Sequence, residues 1–572
     1  MQQGRYTLNS VVRILPLICI LVVAFLFCCP TEIVALEPAT ASAVQDRLKF
    51  GERMYREGVL PSGEPMHATV NNDITVLGTV FTCASCHLRS GLGSYEGGVV
   101  TPPTNGPSLF QNQELKYKTV KLDSKYYPVP IHRKAYSDET LASALRGGVD
   151  PAGRVFNPVM PRYFLQDADM EILVSYLKTL SAQPAPGVSD KVIKLATVVT
   201  DDVSTDDENA MMAAVENFVR QKNNLADLYK TNQRSARMAA TMLLSSEIMY
   251  KKLSLVKWRL TGPPETWRTQ LDAYYGKNPV FALLGGISSG EWKPIHDFCE
   301  ENRIPSLFPQ TDFPVISDTD WYTLYFSKGY YQEGESASRY LNRTLESSPG
   351  KQLIQFVRNS PQGRALAKGF EENWRESGRQ QPVTIMLAKG EKLTTDIVRK
   401  ITEKYPKAIA ILWDGSDSLQ GFDNLGKVDN KPDMIIASAS YIGNDFWNIR
   451  EEHREAIYLT YPYRLPQNEA AYKNKIVDIA NKAHLKGNAE IITKKVYATG
   501  VVLNLALMDI RGNYYRDNLF DVIGMLKDQD LPLYERLSFG PGQRYASKGC
   551  YIIQLGKGSQ PELLKRGDWV IH

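Results

Sequence analysis

The feature that most constrains this chain is the stretch FTCASCHLRSG, which begins at Phe81. It places Cys83, Cys86 and His87 within five residues of one another, in a chain of 572 residues that has seven cysteines and seven histidines. In an exported protein, such a cysteine pair is most often a structural disulfide. Two intervening residues also suit a redox-active bridge or a pair of thiolate ligands to zinc.

The rest of the sequence argues against the zinc and redox alternatives. A zinc site would need a second ligand pair at similar spacing, but Cys299 and Cys550 are isolated from each other in the sequence. A thioredoxin-like motif gains nothing from an adjacent histidine. Cys-x-x-Cys-His is instead the attachment signature of a c-type haem. We therefore predict one covalent haem c on Cys83 and Cys86, with His87 as an axial ligand of the iron. Cys299 and Cys550 could form a disulfide with each other.

The iron of such a haem needs a second axial ligand. The same region offers a limited set: Met66, His67, His132, Met160 and Met170. Met160 lies in a loop flanked by prolines, which can present its thioether from a rigid, extended segment. Met170 lies on the apolar face of a predicted helix, where a methionine is more often a core residue. We predict that Met160 is the ligand, and a thioether ligand raises the reduction potential relative to two histidines.

Between about Val44 and Ser181, the sequence resembles a class I cytochrome c. The resemblance rests on a first helix around Gln45 to Arg56, the CASCH motif, the segment GPSL, the loop VMPRY and a closing helix that ends in YLKTL. It implies a mainly helical domain over residues 44–182. It also implies that the carbonyl of Pro107 accepts a hydrogen bond from His87 Nδ1 and so orients the ring.

The N-terminal segment predicts export. Two arginines precede an uncharged apolar run, residues 14–29, and the stretch that ends at Ala35 could serve as a cleavage site. Because the run is short for a membrane span, we favour a removed signal peptide over residues 1–35, with a retained anchor as the alternative. Bulky residues before Cys28 and Cys29 argue against lipidation. We expect no later membrane span and a periplasmic location.

The second part of the chain follows a proline-rich stretch, residues 183–190, which we predict to be a linker. Residues 191–572 alternate apolar runs with amphipathic stretches. The runs that we predict to be strands are KLATVVT, VFALLGG, QLIQFVR, VTIMLA, AIAILWDG, DMIIASAS and AIYLTYPY. Runs of this kind, covered by helices on both faces, indicate parallel sheets in an α/β fold.

One segment of this part, LLGGISSGEWKPIHDFCEENRIPSLFPQT from Leu283, carries a candidate binding site. A predicted strand ends in two glycines, and Ser288 and Ser289 follow where a helix starts. Free amides and hydroxyls at such a place can hold a carboxylate. The simpler alternative is that the serines only cap the helix.

Over nearly all of residues 191–572, the sequence resembles the type I periplasmic solute-binding proteins of the branched-chain amino acid receptor group. The stretches YYQEGESASRYL, RNSPQGRALAKGFEENW and FGPGQR fit that plan. Such proteins hold a small polar solute, such as an amino acid or a carboxylate, in a cleft between two lobes. The resemblance implies that these residues face the cleft: Ser288, Ser289, Gln310 and Thr311 from the first lobe, and Tyr330, Asp414 and Tyr441 from the second.

Other classes of function find no support in the sequence. The glycine-rich turns lack the spacing of a dinucleotide-binding loop, and there is no P-loop. The net charge of +4 is small for this length, which argues against nucleic acid as a partner. We expect a carrier or binding protein and not an enzyme.

Three functions remain open. We prefer a periplasmic electron-transfer protein whose single haem, ligated by His87 and Met160, is coupled to a solute-binding-like domain that docks a partner or senses a ligand. The redox partner would be a periplasmic dehydrogenase or a terminal oxidase. The alternatives are a receptor that delivers solute to an ABC-type transporter, with an accessory haem, and the electron-accepting subunit of an exported dehydrogenase.

Overall fold

The computed structural model describes residues 41–71, 73–96, 99–112, 133–231, 251–346, 351–422, 431–468, 488–559, 561–567 and 569–571. The predicted export segment and His132 lie outside the described residues. Contacts divide the chain into a smaller unit, residues 1–83 and 110–178, and a larger unit, residues 84–109 and 179–572. The predicted domain bounds, 44–182 and 191–572 with a linker between, stay predictions. The segment 84–109, which we assigned to the first domain, groups with the larger unit.

Short helices and strands alternate up to residue 179. The helices are α1 (Ala41–Glu57), α2 (Cys83–His87), α3 (Gly106–Leu109), α4 (Asp138–Gly147) and α5 (Asp167–Thr179). The strands are β1 (His67–Val70), β2 (Ile74–Leu77), β3 (Ser94–Glu96), β4 (Val99–Thr101) and β5 (Arg162–Tyr163). Strand β1 pairs antiparallel with β2 and with β5, and β3 pairs antiparallel with β4.

Helices α1 and α5 form the centre of the smaller unit. The predicted apolar face of α5 is confirmed, because Met170, Leu173, Val174 and Leu177 are all buried. A Cβ atom at Gly51 of α1 would lie 2.5 Å from the Cβ atom of Tyr176. The absence of a side chain at this position therefore lets the two helices approach closely.

The larger unit contains two main sheets. The first is built from β6 (Val192–Thr200), β7 (Lys252–Leu260), β8 (Ala282–Leu284), β9 (Ser306–Leu307) and β10 (Thr323–Leu324). Its strand order is β10-β9-β8-β6-β7, and its pairs are parallel.

The second sheet has eight strands. They are β11 (Leu353–Arg358), β12 (Val383–Leu387), β13 (Ile409–Trp413), β14 (Met434–Ser438), β15 (Ile457–Tyr461), β16 (Gly549–Leu555), β17 (Leu563–Lys565) and β18 (Val570–Ile571). The order is β12-β11-β13-β14-β15-β16-β17, with β18 also paired to β16. Strands β11 to β15 are parallel, and β16 runs antiparallel to its neighbours.

Helices cover these sheets. They are α6 (Thr205–Thr231), α7 (Trp267–Lys277), α8 (Lys293–Asn302), α9 (Tyr330–Glu346), α10 (Pro361–Glu376), α11 (Thr395–Lys404), α12 (Ala439–Ile442), α13 (Glu451–Arg454), α14 (Asn488–Asp509) and α15 (Arg516–Gly524). Short 3-10 helices lie at Pro264–Thr266, Ser416–Phe422, Gly443–Asn448 and Pro466–Asn468. Each of the seven predicted strand runs contains a strand, so the predicted α/β architecture with parallel sheets is confirmed.

We call the first sheet with α6, α7, α8, α14 and α15 the first lobe, and the second sheet with α9 to α13 the second lobe. Side chains of α14 and α15 share a core with the first sheet, although both helices follow β15 in the sequence. The chain therefore passes from the first lobe to the second after β10, returns after β15, and passes to the second lobe again before β16. Such repeated crossing is the basis for a cleft between lobes.

Helix α14 departs from our expectation that no later stretch could span a membrane. By length and composition, it is the one helix among the described residues that could do so. Its side chains Ile492, Val496, Val502 and Leu503 are buried in the core of the first lobe. A helix that is apolar on most sides is also what a buried core position requires.

Helices α9 and α10 cross at two glycines. A Cβ atom at Gly334 would lie 2.1 Å from the carbonyl oxygen of Leu366, and one at Gly369 would lie 2.1 Å from that of Tyr331. The two backbones are thus in direct contact, since no side chain separates them. This contact fixes the position of the first turn of α9.

Candidate functional site

Helix α2 is a single turn that holds the attachment motif. Cys83 is half-buried, Cys86 is exposed and His87 is buried. The hydroxyl of Tyr163 lies 3.9 Å from Cys83 Sγ and donates a hydrogen bond to the carbonyl of Phe81 over 2.8 Å. The four cysteines that the structure describes form no disulfide with one another.

The imidazole of His87 is oriented by a backbone carbonyl. Its Nδ1 lies 2.7 Å from the carbonyl oxygen of Pro102, and because a carbonyl only accepts, Nδ1 carries the proton. Our expectation of Pro107 as the acceptor was wrong. The hairpin of β3 and β4 returns the chain to the ring at Pro102, whereas Pro107 lies in α3.

These groups fit the covalent attachment of a haem. With Nδ1 protonated, the lone pair of His87 is on Nε2, which is the atom that a metal would need. Burial lowers the pKa of His87, so the neutral ring is favoured. Two thiols and a neutral imidazole on one helical turn are the donor set that the motif predicts.

The alternatives for the second axial ligand differ in exposure. Met66 and Met170 are buried in the core of the smaller unit, and His67 is exposed on β1. Met160 is half-buried in a turn, where Arg162 Nη1 donates to its carbonyl oxygen over 2.5 Å. Its role as a ligand stays a prediction.

A cavity lies between the two lobes of the larger unit. It encloses about 520 Å³ of empty space, including the part that is open to solvent. Its lining includes Thr311, Asp312, Tyr330, Glu333, Tyr463 and Lys495. The first two follow β9, the next two lie in the first turn of α9, and Lys495 lies on α14. Both lobes therefore contribute polar groups.

Glu333 is the buried carboxyl group of this cavity. The hydroxyls of Ser438 and Thr460 donate to its Oε2 over 2.8 and 2.6 Å. Burial raises the pKa of Glu333 to about 7, although these hydrogen bonds favour the ionised form. Near neutral pH, the cavity can therefore present this group as either an acceptor or a donor.

Lys495 supplies a cation to the same cavity. Burial lowers the pKa of its ammonium group, and the nearby charge of Asp312 opposes that change. The ammonium nitrogen lies 5.9 Å from the centre of the Tyr463 ring. One ammonium group, two carboxyl groups and tyrosine walls are suited to a small solute that carries charges of both signs.

Of the four predicted first-lobe residues, only Thr311 is among the residues that line this cavity. The hydroxyl of Thr311 donates to the carbonyl of Gly290 over 3.2 Å. Ser288 is buried, and its N–H donates to the carbonyl of Gln310 over 3.1 Å, whereas Ser289 is exposed. The side-chain amide of Gln310 is buried, and neither end of it has a hydrogen-bond partner among the described residues.

Of the predicted second-lobe residues, Tyr330 lines the cavity and the other two are engaged elsewhere. Both carboxylate oxygens of Asp414 pair with the guanidinium of Arg358, over 3.0 and 2.5 Å. The hydroxyl of Tyr441 shares a hydrogen bond of 2.7 Å with Ser360, and its ring centre lies 6.0 Å from that of Tyr330. The roles of all these residues in binding stay predictions.

Sequence reasoning missed Asp312, Glu333 and Lys495. Glu333 had a local signal, because it follows Tyr330 by three residues on a helix and so shares its face. Lys495 had none, since the cavity brings it together with Asp312 and Glu333, which both lie more than 150 positions away in the chain.

Two family models match the chain. The model described as periplasmic binding protein matches residues 197–508, and the model described as cytochrome c matches residues 78–181. The search of the curated proteins found no match for this chain.

Solved structures similar to the chain are solute-binding proteins. A branched chain amino acid ABC transporter from Thermus thermophilus with bound valine is 12% identical, with a TM-score of 0.48, and the match covers 67% of this chain and 97% of that one. A solute binding protein from Rhodopseudomonas palustris BisB5, in complex with 3,4-dihydroxy benzoic acid, is 11% identical, with a TM-score of 0.47 and coverage of 67% and 98%. An ABC transporter substrate-binding protein from Sphaerobacter thermophilus is 13% identical, with a TM-score of 0.47 and coverage of 67% and 98%.

Proposed function

Because the chain belongs to the periplasmic binding protein family and also carries a cytochrome c domain, we propose that it is an exported electron carrier with a solute-binding domain. Cys83 and Cys86 hold one haem c through thioether bonds, and His87 and Met160 are its axial ligands. When bound, such a haem supplies one-electron transfer at its iron. The chain itself supplies the attachment, the ring orientation and the surface that a redox partner contacts.

The observation that carries this proposal is the geometry at His87. The hydrogen bond from Nδ1 to Pro102 leaves Nε2 for a metal, and the two thiols lie on the same turn as the ring. A ring held in this way resists rotation and keeps one tautomer. A structural disulfide between Cys83 and Cys86 would have no use for either property.

Haem attachment is tested on the full chain, exported by a host that matures c-type cytochromes. The purified protein is expected to be coloured, to show the reduced spectrum of a haem with two thioether bonds, and to exceed its polypeptide mass by one haem. Cys83→Ala together with Cys86→Ala is expected to remove the colour, and Cys299→Ala, at a buried thiol elsewhere, is expected to keep it. A colourless wild-type protein would refute the proposal.

The larger unit is proposed to bind a small polar solute, such as an amino acid or a carboxylate, in the cavity between its lobes. Lys495 would pair with a carboxylate of the solute, and Asp312 and Glu333 would accept hydrogen bonds from an ammonium group. Gln310 precedes Thr311 of the cavity lining, and its buried amide, which has no hydrogen-bond partner among the described residues, would add donor and acceptor capacity. This arrangement supports a receptor role beside electron transfer.

Calorimetry of the full chain with L-amino acids and small carboxylates tests the solute-binding role. We expect a member of this panel to bind, and we expect Lys495→Gln to weaken its binding about tenfold or more, because a buried ion pair would lose one partner. Glu216→Gln, at an exposed carboxylate on α6, serves as the control. Absence of binding by every compound would instead favour a docking role for this unit.

A further inference from the structure

The chain directly after His87 forms a tight loop within the larger unit. Leu88 has a φ of 65°, in the left-handed region that leucine rarely adopts. The N–H of Gly93 donates to the carbonyl of His87 over 3.0 Å, and Ser94 Oγ donates to that of Cys86 over 3.1 Å. These contacts hold the backbone of the histidine in one conformation.

A buried carboxylate holds this loop from a distant part of the sequence. Asp521 of α15 accepts hydrogen bonds from the N–H groups of Ser90, over 2.8 Å, and Arg89, over 3.3 Å. The hydroxyl of Ser181 donates to the carbonyl of Ser90 over 2.7 Å. Asp521 and Ser90 are both buried. Hydrogen bonds to an ionised group are roughly twice as strong as neutral ones, so the carboxylate is the stronger of these two restraints.

The side chain of Arg89 makes further contacts with the first lobe, to which α15 and Asp521 also belong. Its guanidinium carbon lies 3.8 Å from the centre of the Trp321 ring, and its Nε lies 3.8 Å from Asp517 Oδ1. The guanidinium of Arg544, which is buried, lies 4.3 Å from the centre of the same ring. Arg89 of the loop thus lies beside two carboxylates, Asp517 and Asp521, and shares the Trp321 ring with a second cation, Arg544.

From these contacts we propose that Asp521 is a positioning residue for the haem-ligand loop, residues 88–94. It fixes the peptide groups two and three residues beyond His87 and supplies negative charge beside them. The inference rests on the proposed haem attachment at Cys83, Cys86 and His87. Nearby negative charge favours the oxidised iron, which carries one more positive charge than the reduced iron. The reduction potential therefore depends on a residue that lies outside the segment similar to cytochrome c.

Asp521→Asn in the full chain tests this role, because Asn keeps the shape and one acceptor but loses the charge. Burial raises the pKa of Asp521 to about 6, so the reduction potential is measured by optical redox titration at pH 8, where this group is ionised in the wild-type protein. We expect a higher potential, such that the ratio of reduced to oxidised protein at a fixed solution potential rises roughly fivefold. Arg89→Gln keeps its backbone N–H but removes a positive charge, and is expected to shift the potential in the opposite direction. Asp528→Asn, at an exposed carboxylate, is the control and should leave it unchanged.

Opposite shifts in the two variants support the role. Unchanged potentials in Asp521→Asn and Arg89→Gln overturn it, even when the variants unfold at a lower temperature, because a purely structural role would affect stability alone. If Asp521→Asn does not fold, Asp521→Glu takes its place, because it keeps the charge but changes the length of the side chain that holds the two N–H groups: a changed potential supports the proposal and an unchanged one overturns it. A colourless wild-type protein would instead refute haem attachment, so the two failures can be told apart.

Discussion

Met160 is the residue on which the predicted ligation depends. We expect Met160→Ala to remove the methionine–iron charge-transfer band and to lower the reduction potential, because a soft thioether favours ferrous iron. Optical spectra and a redox titration of the full chain measure both effects. Met170→Leu is the control, since Met170 is buried in the core and a swap of similar volume costs less than about 1.5 kcal/mol. An unaltered band in Met160→Ala would transfer the ligand role to another methionine, such as Met66, and a wild-type protein without the band would favour a histidine, such as His132.

Glu333 makes stability depend on pH. Its pKa in the folded protein, about 7, is above the ordinary value of 4.5, so the folded state binds more protons than the unfolded state between these values. The stability associated with the protonated group is fully present below about 4.5 and is lost as the pH rises through 7. Gln cannot titrate. We therefore expect the difference in the free energy of unfolding, Glu333→Gln minus wild type, to increase by up to about 3 kcal/mol between pH 5 and pH 8, because only the wild-type protein loses stability as this group ionises.

Urea denaturation at several pH values measures this difference. Glu216→Gln, at an exposed position, is expected to show the same change in the free energy of unfolding with pH as the wild-type protein. A difference between Glu333→Gln and wild type that stays constant with pH would contradict the raised pKa.

At the scale of single residues, the sequence predicted which groups form the attachment motif better than it predicted their hydrogen-bond partners. The attachment motif could be identified because its three groups lie within five residues of one another. Pro102 could not be chosen over Pro107, since the path of the β3–β4 hairpin decides which carbonyl reaches the ring. Asp521 contacts a peptide 431 residues away, and nothing in the sequence near either residue marks that contact.

At the scale of elements, apolar runs identified the central strands up to β15, but β16, which is buried between β15 and β17, was not predicted. Strand β7 was missed, because it lies at the edge of its sheet and carries exposed charges. Lys257 and Arg259 of this strand both pair with Glu208 of α6. Its buried residues do not follow a strict alternation, because Leu253 packs in one core of the first lobe and Trp258 and Leu260 pack in another.

The crossing of α9 and α10 gives a prediction at this scale. We expect Gly369→Ala to lower the free energy of unfolding by ~2–3 kcal/mol, because its methyl group would overlap the Tyr331 carbonyl and the backbones would have to separate. Gly276→Ala is the matched control. Gly276 also lies in a helix, α7, but a Cβ atom there meets nothing within 4 Å, and alanine should stabilise the helix by up to ~1 kcal/mol. Equal effects of the two substitutions in denaturant unfolding would contradict the close contact.

For the whole molecule, the grouping of residues 84–109 with the larger unit predicts which parts of the chain unfold together in urea. The eight tryptophans of the chain lie between Trp258 and Trp569, so their fluorescence reports on the larger unit. We expect the loss of the native haem spectrum and the change in tryptophan fluorescence to occur at the same urea concentration, because His87 belongs to that unit. Loss of the haem spectrum at clearly lower urea would show that the loop is released before the larger unit unfolds.

Strand β16 lies between β15 and β17 in the second sheet, although nearly ninety residues separate it from β15 in the sequence. A chain that is exported from its N-terminus delivers Gly549–Leu555 last among the central strands. Until then, β15 has an open edge and one of the three connections between lobes is missing. If the chain is exported as proposed, the second lobe can therefore be completed only after Gly549–Leu555 has crossed the membrane, and the order of synthesis delays the cavity relative to the attachment motif.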